Sequence, residues 1–390
     1  MLRSVIAALV ILPVCVLFVQ LWRGTSTDIA FAEREREGVA YLDALNELTV
    51  AVVDAQSAAV AGQPVNDEAL ARALDSVAQV DERHGASLRA QERWNTLRAA
   101  VEALPDRQFP DRTAAYVAYG EVTELLLAQY ARVRESSNLI RDPEGDAYHL
   151  QDGAAEELPE AIVATARFAD LAVLLPARPT AERGLALVEL IAAMNDVLSP
   201  ADDLASNVQA AVESTDSRTM SSNLLAQVDR FRRSMDGIAA AAATLNAGSG
   251  ANAGDSGNGS GAPQVSQLVQ LRGEAQAAAA ELAATMLTEL DGLIADRLAE
   301  LRRGQWLSVG ALVVAIALAF APIVTTYVRG AGHPAGSGPS TADRPGGSER
   351  RGPDQPPRWP ELETVPRDPA GTDGTDGTGT GRRGQTVAAR

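Results

Sequence analysis

The chain contains no lysine: all 34 basic residues are arginine, and three histidines and one cysteine complete a sparse set of reactive side chains. Uniform arginine usage reads as a genome-composition effect, and a formal charge of -17 argues against a nucleic-acid partner. The single cysteine, Cys15, excludes an internal disulfide framework. It follows Leu12-Pro13-Val14 inside an apolar run. Val14 stands where a lipoprotein box needs a small residue and more apolar residues follow, so Cys15 reads as a packing residue. With only His84, His149 and His333 available, neither a zinc hydrolase nor a nucleophilic triad can be assembled, and no phosphate-cradling glycine loop precedes a helix. The expectation is a protein that is not an enzyme and carries no cofactor and no metal.

Aromatic residues make up only 4% of the chain, while Ala and Leu dominate. Small and unbranched side chains suit packed helices, whereas sheets draw on β-branched and aromatic residues. The expected fold class is all-α. Charge is distributed unevenly along it. Residues 1–23 carry two Arg and no acid, and residues 329–390 carry nine Arg against eight acids, so the middle carries a net of -20. An acidic middle reads first as a soluble face and second as a surface that favours a cationic ligand.

Two long apolar stretches carry no charge. Residues 5–22 (VIAALVILPVCVLFVQLW) are just long enough to cross a hydrocarbon core of about 30 Å at about 1.5 Å per residue. Ala30-Phe31-Ala32 resembles a signal-peptide cleavage site but lies too far beyond the apolar run, so the run reads as a retained anchor. Residues 306–328 (WLSVGALVVAIALAFAPIVTTYV) form the second expected span. Trp22 and Trp306 serve as interface anchors on one face and Tyr327 on the other. Arg3 and Arg329 put both termini in the cytoplasm by the positive-inside tendency, which leaves the acidic middle outside.

Between the spans, apolar residues recur at helical spacing. Tyr41, Leu45, Leu48, Val52, Ala55 and Ala59 mark a first helix running out of the first span to Gly62-Gln63-Pro64. A second helix is expected over 67–104 (Leu70, Leu74, Val77, Leu88, Leu97, Val101) and a third over 112–140 (Tyr116, Tyr119, Leu126, Tyr130, Val133, Ile140). A fourth covers 144–175, bent or restarted at Pro159, a fifth 180–214 and a sixth 217–245. Residues 247–263 read as a flexible Gly/Ser loop, and a last helix over 265–303 feeds the second span. From residue 330 onward Gly, Pro, Thr and Arg dominate, which predicts a disordered tail.

The expected layout is thus a short cytoplasmic start (1–4), a span (5–22), an extracytoplasmic helical region (23–305), a span (306–328) and a cytoplasmic tail (329–390). The helical region is expected to be an elongated, mainly antiparallel bundle, with two stacked four-helix modules sharing the long first and last helices as one arrangement.

Two motifs carry a resemblance. One is Glu33-Arg34-Glu35-Arg36-Glu37-Gly38-Val39-Ala40-Tyr41-Leu42 just after the first span. The other runs from Ser137 to Pro159 and holds Asp142-Pro143, Tyr148-x-Leu150-x-Asp152 and Leu158-Pro159. Together with the span–helices–span order they resemble the extracytoplasmic sensor regions of bacterial transmembrane receptors, such as chemotaxis receptors, sensor histidine kinases and membrane-bound diguanylate cyclases. The resemblance implies signal transduction across a cell membrane. It departs from those receptors after Arg329, where neither a relay nor an output module is legible, so the expected alternatives are a degenerate receptor, a subunit that works through a membrane signalling partner, or an envelope protein that kept the scaffold; a homodimer is the other expected partnership.

Within the second motif, Asp142-Pro143 is expected to cap the fourth helix. Arg141, Asp142, Asp146 and Tyr148 are the candidate ligand-binding residues, for an unknown small molecule or envelope ligand held between helices. The plainer alternative is that Asp142 caps, Tyr148 packs and Arg141 pairs with an acid. Asp146, His149 and Asp152 fall at three-residue intervals, but successive steps drift around the helix, which argues against a metal site. The leading function is an extracytoplasmic sensor; the alternative is a non-catalytic envelope scaffold with a rod-like, coiled helical region.

Overall fold

The computed structural model describes residues 2–215, 217, 220–251 and 262–330. Among these all regular structure is helical and no strand occurs. The elements are α1 (Leu2–Ala61), α2 (Asp67–Val80), α3 (Gln91–Glu102), α4 (Arg112–Ser136), α5 (Gly145–Asp152), α6 (Leu158–Leu174), α7 (Arg183–Ser214), α8 (Met220–Ala251) and α9 (Ala262–Gly330). The expected tail lies outside the described residues, as do residues 252–261 of the expected Gly/Ser loop; residues 247–251 prolong α8 instead of opening that loop, carried on by the Ala run that precedes them.

Most residues of the apolar stripes read from the sequence lie in the core; Ile140, expected to end the third stripe, is exposed because α4 stops at Ser136, and Ala59 and Tyr116 are half-buried. Tyr41, Leu45, Leu48 and Val52 of α1 are fully buried, as are Leu126 and Val133 of α4 and Leu290 and Ile294 of α9. Burying such side chains is worth about 1.5 to 3 kcal/mol each, before the entropy of ordering the chain is set against it. The helix expected over 67–104 is interrupted. A π-helical turn, Asp81–Gly85, follows α2, and Arg89 then adopts φ 49° before α3 begins. The cause is tertiary: the Asp81 carboxylate accepts a hydrogen bond from the Tyr41 hydroxyl at 2.9 Å, and Gly85 leaves room for Asp81 that a side chain would take. Leu88 and Ala90 are both buried, so the reversal at Arg89 turns only its own side chain outward.

α1 and α9 are in contact along a series of side-chain bonds. Ser26 accepts from Gln305, Glu33 from Arg302, Asp291 from Arg36, Asp54 from Gln276 and Ser57 from Arg272. α4 and α6 pack on α1 as well, and α8 on α9.

Among the described residues two helices are long and apolar enough to cross a membrane, Arg183–Ser214 and the Val265–Ala321 part of α9. The second includes most of the expected span 306–328, with Trp306, Leu307, Val313, Val314, Leu318 and Phe320 exposed. The first is α7, expected as part of the helical region; it qualifies because it has two apolar faces. Leu190, Val197, Leu204 and Val208 are buried on the side that packs against α5 and α6, while Leu185, Val188, Ile191 and Leu198 are exposed. The expected first span forms the start of α1. Side chains of residues 1–8 and 10 are outside the described set, and Leu9, Leu12, Val16, Leu17 and Leu21 are exposed.

Candidate functional site

The corner between α4 and α6 is built from short local preferences. α4 stops where Asn138 takes φ 70°, a left-handed conformation that asparagine tolerates. A single 3-10 turn, Leu139–Arg141, follows, and Asp142 leads out of it with ψ 127°, as the following proline requires. Asp142 does not cap a helix as expected. Its Oδ1 accepts the Glu144 N–H at 3.0 Å, α5 begins at Gly145, and the same carboxylate is also engaged from the other side.

That engagement comes from α9. Arg297 donates Nη1 to Asp142 Oδ1 at 2.7 Å and Nη2 to Asp142 Oδ2 at 3.1 Å, and its Nη2 also bonds Glu35 of α1. Glu144 stands 3.9 Å from the same guanidinium. Glu35 and the Asp142 side chain are sealed from solvent, and Arg297 nearly so. Three carboxylates thus share one buried cation. Burial, reinforced by the Asp142 charge and opposed by Arg297, pushes the Glu35 carboxyl up to about 8, so it holds its proton over much of the neutral range. Its Oε1 has no hydrogen-bond partner. Close packing completes the joint: Gly38, one turn beyond Glu35, lies so near Ser137 that a Cβ there would collide with the serine side chain.

A second polar cluster ties the far side of the corner to α4 and α7. Arg134 bonds Gln151, Asp152 and Glu156, and Asn207 donates to Asp152 at 3.1 Å and to Glu157 at 2.7 Å. His149 Nδ1 meets Asn207 Oδ1 at 2.8 Å. Burial, with the Asp152 charge adding to it, pushes Glu157 up to about 8. A π-helical turn, Gly153–Glu157, ends the first part of the expected fourth helix, which restarts as α6 at Leu158 with Pro159 in its first turn, and Gly153 is the point where Met286 and Leu204 crowd in. Among the described residues no group of His, Cys, Asp and Glu is arranged to hold a metal ion.

The four candidate ligand residues do not meet in one cavity. Asp142 is consumed by Arg297. Asp146 lines a mainly acidic cavity of about 720 Å³ with Glu144, Glu289, Asp296 and Glu300 and the edge of Arg297, and Tyr148 stands partly exposed with its ring edge-on to His149. Arg141 opens into a separate cavity of about 250 Å³ lined by arginines. The short α5 turns by about 100° per residue, so neighbours in sequence are sent to different faces. Trp22 and Trp306 are both exposed, and the Tyr327 side chain lies outside the described residues.

Glu35 was noticed only as one letter of the first motif, and Arg297, Arg134 and Asn207 were not singled out from sequence. A signal for the first two was present. Glu35 continues the buried face of α1 through Ala32, Val39 and Leu42, and Arg297 falls between Ile294 and Leu301 at core spacing, so each is a charge on an apolar stripe. Compared with family models, curated proteins and solved structures, the chain matches none.

Proposed function

We propose that the chain is a membrane-anchored, receptor-like sensor that passes a signal across the membrane to a separate partner or to a second copy of itself. In this reading residues 5–22 and 306–328 are the spans, both termini are cytoplasmic, and the region between them is an elongated, mainly antiparallel bundle outside the membrane. The observation that carries it is the Glu35–Arg297–Asp142 cluster, which joins the corner to the two helices that run on into exposed apolar segments. Glu35 lies about 20 Å beyond Trp22 and Arg297 about 14 Å before Trp306 along their helices. The Ser26–Gln305 bond keeps the same two helices together nearer the apolar segments. A change at the corner is therefore felt as a relative shift of α1 and α9, the small helix displacement on which a two-state relay depends.

Topology reporters at the N terminus, residue 26 and residue 335 test the layout: residue 26 outside and both ends inside supports it, and a mature chain starting after Ala32 defeats it. Spin labels at Thr27 and Arg303 of the full chain in lipid nanodiscs test the relay. R297Q should shift or broaden the interlabel distance, and an unchanged distribution removes the coupling.

The scaffold alternative has one observation in its favour, the exposed apolar stripe Leu185, Val188, Ile191 and Leu198 on α7. Substituting Val188→Glu and Ile191→Glu would abolish capture of a membrane partner under that reading while leaving the Thr27–Arg303 distance unchanged.

A further inference from the structure

The cavity that receives Arg141 lies among α1, the α2–α3 connection, α4 and the corner. Arg34, Arg89, Arg132 and Arg141 line it, with Glu135 as the single carboxylate. Arg132 is partly satisfied, donating to the Arg89 carbonyl at 3.1 Å and standing 3.5 Å from Glu135. The guanidinium groups of Arg34, Arg89 and Arg141 make no hydrogen bond or ion pair among the described residues, in a chain whose middle carries a net of -20. Acids are abundant along the chain, yet one alone faces this space. Four like charges gathered around one small volume repel, and an anion between them removes that repulsion.

A second observation is independent of charge. Arg89 at φ 49° and Asn138 at φ 70° are the non-glycine residues with positive φ among the described residues, and both line this cavity. Arginine gains nothing locally from that conformation; the Tyr41–Asp81 contact sets the path of the α2–α3 connection, and the left-handed residue gives this cavity its wall. Here it turns Arg89 outward between buried Leu88 and Ala90 and brings its carbonyl to Arg132.

We propose that this cavity binds a compact, soluble phosphate-type dianion. Its volume is below that of most sites for drug-sized ligands, which selects a small group. A net of three positive charges suits a dianion, and guanidinium forks match the oxygens of a tetrahedral oxyanion in pairs. Arg34 stands about 18 Å beyond Trp22 along α1, past the reach of a headgroup layer several ångströms thick, so the phosphate is in solution and not on a lipid. Resting on the sensor reading, this site supplies its input. Arg34 immediately precedes Glu35 and Arg141 immediately precedes Asp142, so an anion drawing these arginines together acts on both carboxylates held by Arg297.

The test is calorimetric titration of the full chain, in zwitterionic nanodiscs at low ionic strength, with inorganic phosphate. Saturable binding is expected, weakening steeply as sodium chloride is added. R141A and R89K should each weaken it at least tenfold, E135Q should tighten it, and R98A, which is paired with Glu102 and is not part of the cavity lining, should leave it unchanged; circular dichroism checks that each variant keeps its helix content. The absence of saturable heat, or titrations indifferent to R141A and R89K, overturns the proposal. Equal binding of succinate overturns the phosphate assignment, and association seen only with phosphatidate-containing discs overturns the soluble occupant. The Thr27–Arg303 distance separates the two readings. Phosphate binding with no distance change leaves the site and removes the relay, whereas an R297Q shift without phosphate binding leaves the relay and removes the site.

Discussion

Arg297 grips both carboxylate oxygens of Asp142 in a two-pronged bond, at 2.7 and 3.1 Å, across 155 residues of chain. Paired forks of this kind fix orientation as well as distance. Removing the guanidinium strands Asp142 and Glu35 together in a sealed site. R297A should therefore destabilise the helical region by about 3 kcal/mol, the cost typical of breaking a buried pair from one side. R297K keeps the charge but loses the fork and should fall between. Thermal unfolding of the full chain in detergent checks this, and an R297A midpoint equal to wild type would show that the cluster bears no load.

The same crowding of acids predicts an unusual pH response. Glu35 and Glu157 are each pushed up to about 8 by burial, so the folded chain holds protons that the unfolded chain releases near pH 4.5. Wherever the folded state binds more protons, stability falls as pH rises. The full contribution is present below about pH 4.5 and is lost progressively as pH climbs through 8. Melting midpoints between pH 5.5 and 8.5 should decline, and E35Q, which keeps the shape without the charge, should flatten the decline and stabilise the protein at pH 8.5. A midpoint that rises over this interval in wild type and in E35Q alike would contradict the sign.

What was legible in the sequence and what was not divides along a physical line. Pro64 and Pro105 stand just past helical stretches, and the stripes Tyr41-Leu45-Leu48 and Leu70-Leu74-Val77 lie in the core as spaced. These depend on neighbours in sequence. The break after Val80 does not: it follows from Tyr41 reaching Asp81 forty residues away, and nothing in residues 81–90 announces that partner. The cap expected of Asp142 was overturned in the same way. Asp142 was rightly noticed as a polar residue at a corner, but its role was set by Arg297, which local reading placed on an ordinary helix. Charges that interrupt an apolar stripe, Glu35 and Arg297, carried more information than the polar motif itself.

Gly38 marks the closest approach of α1 to the corner, and its replacement tests whether that approach holds the ion cluster together. A methyl group there would collide with Ser137 Cβ and Oγ, and neither can move away because Ser137 is fully buried. G38A should cost roughly 1 to 3 kcal/mol, as overpacking does. S137G in the same chain should recover part of the loss, and a double-mutant cycle on thermal midpoints measures the coupling. Purely additive effects would separate the two positions.

The last question is which apolar helices cross the membrane, since length and composition admit α7 as well as α9. α7 carries Glu189, Asp196, Asp202 and Asp203, all exposed in the fold. An acid near the centre of a spanning helix costs about 3 kcal/mol, so burying several would offset what the apolar stripe gains. The described part of α9 beyond Trp306, by contrast, carries no charge through Ala321. Cysteines placed one at a time, with Cys15 replaced by serine, decide between them. At Leu185 and Ile191 they should react with a membrane-impermeant maleimide added outside intact cells, while cysteines at Val313 and Leu318 should not. Protection at Leu185 and Ile191 together would make α7 a span and place the corner, the arginine cavity and the Arg297 cluster on a different footing, because the chain between α1 and α9 would then cross the bilayer once more.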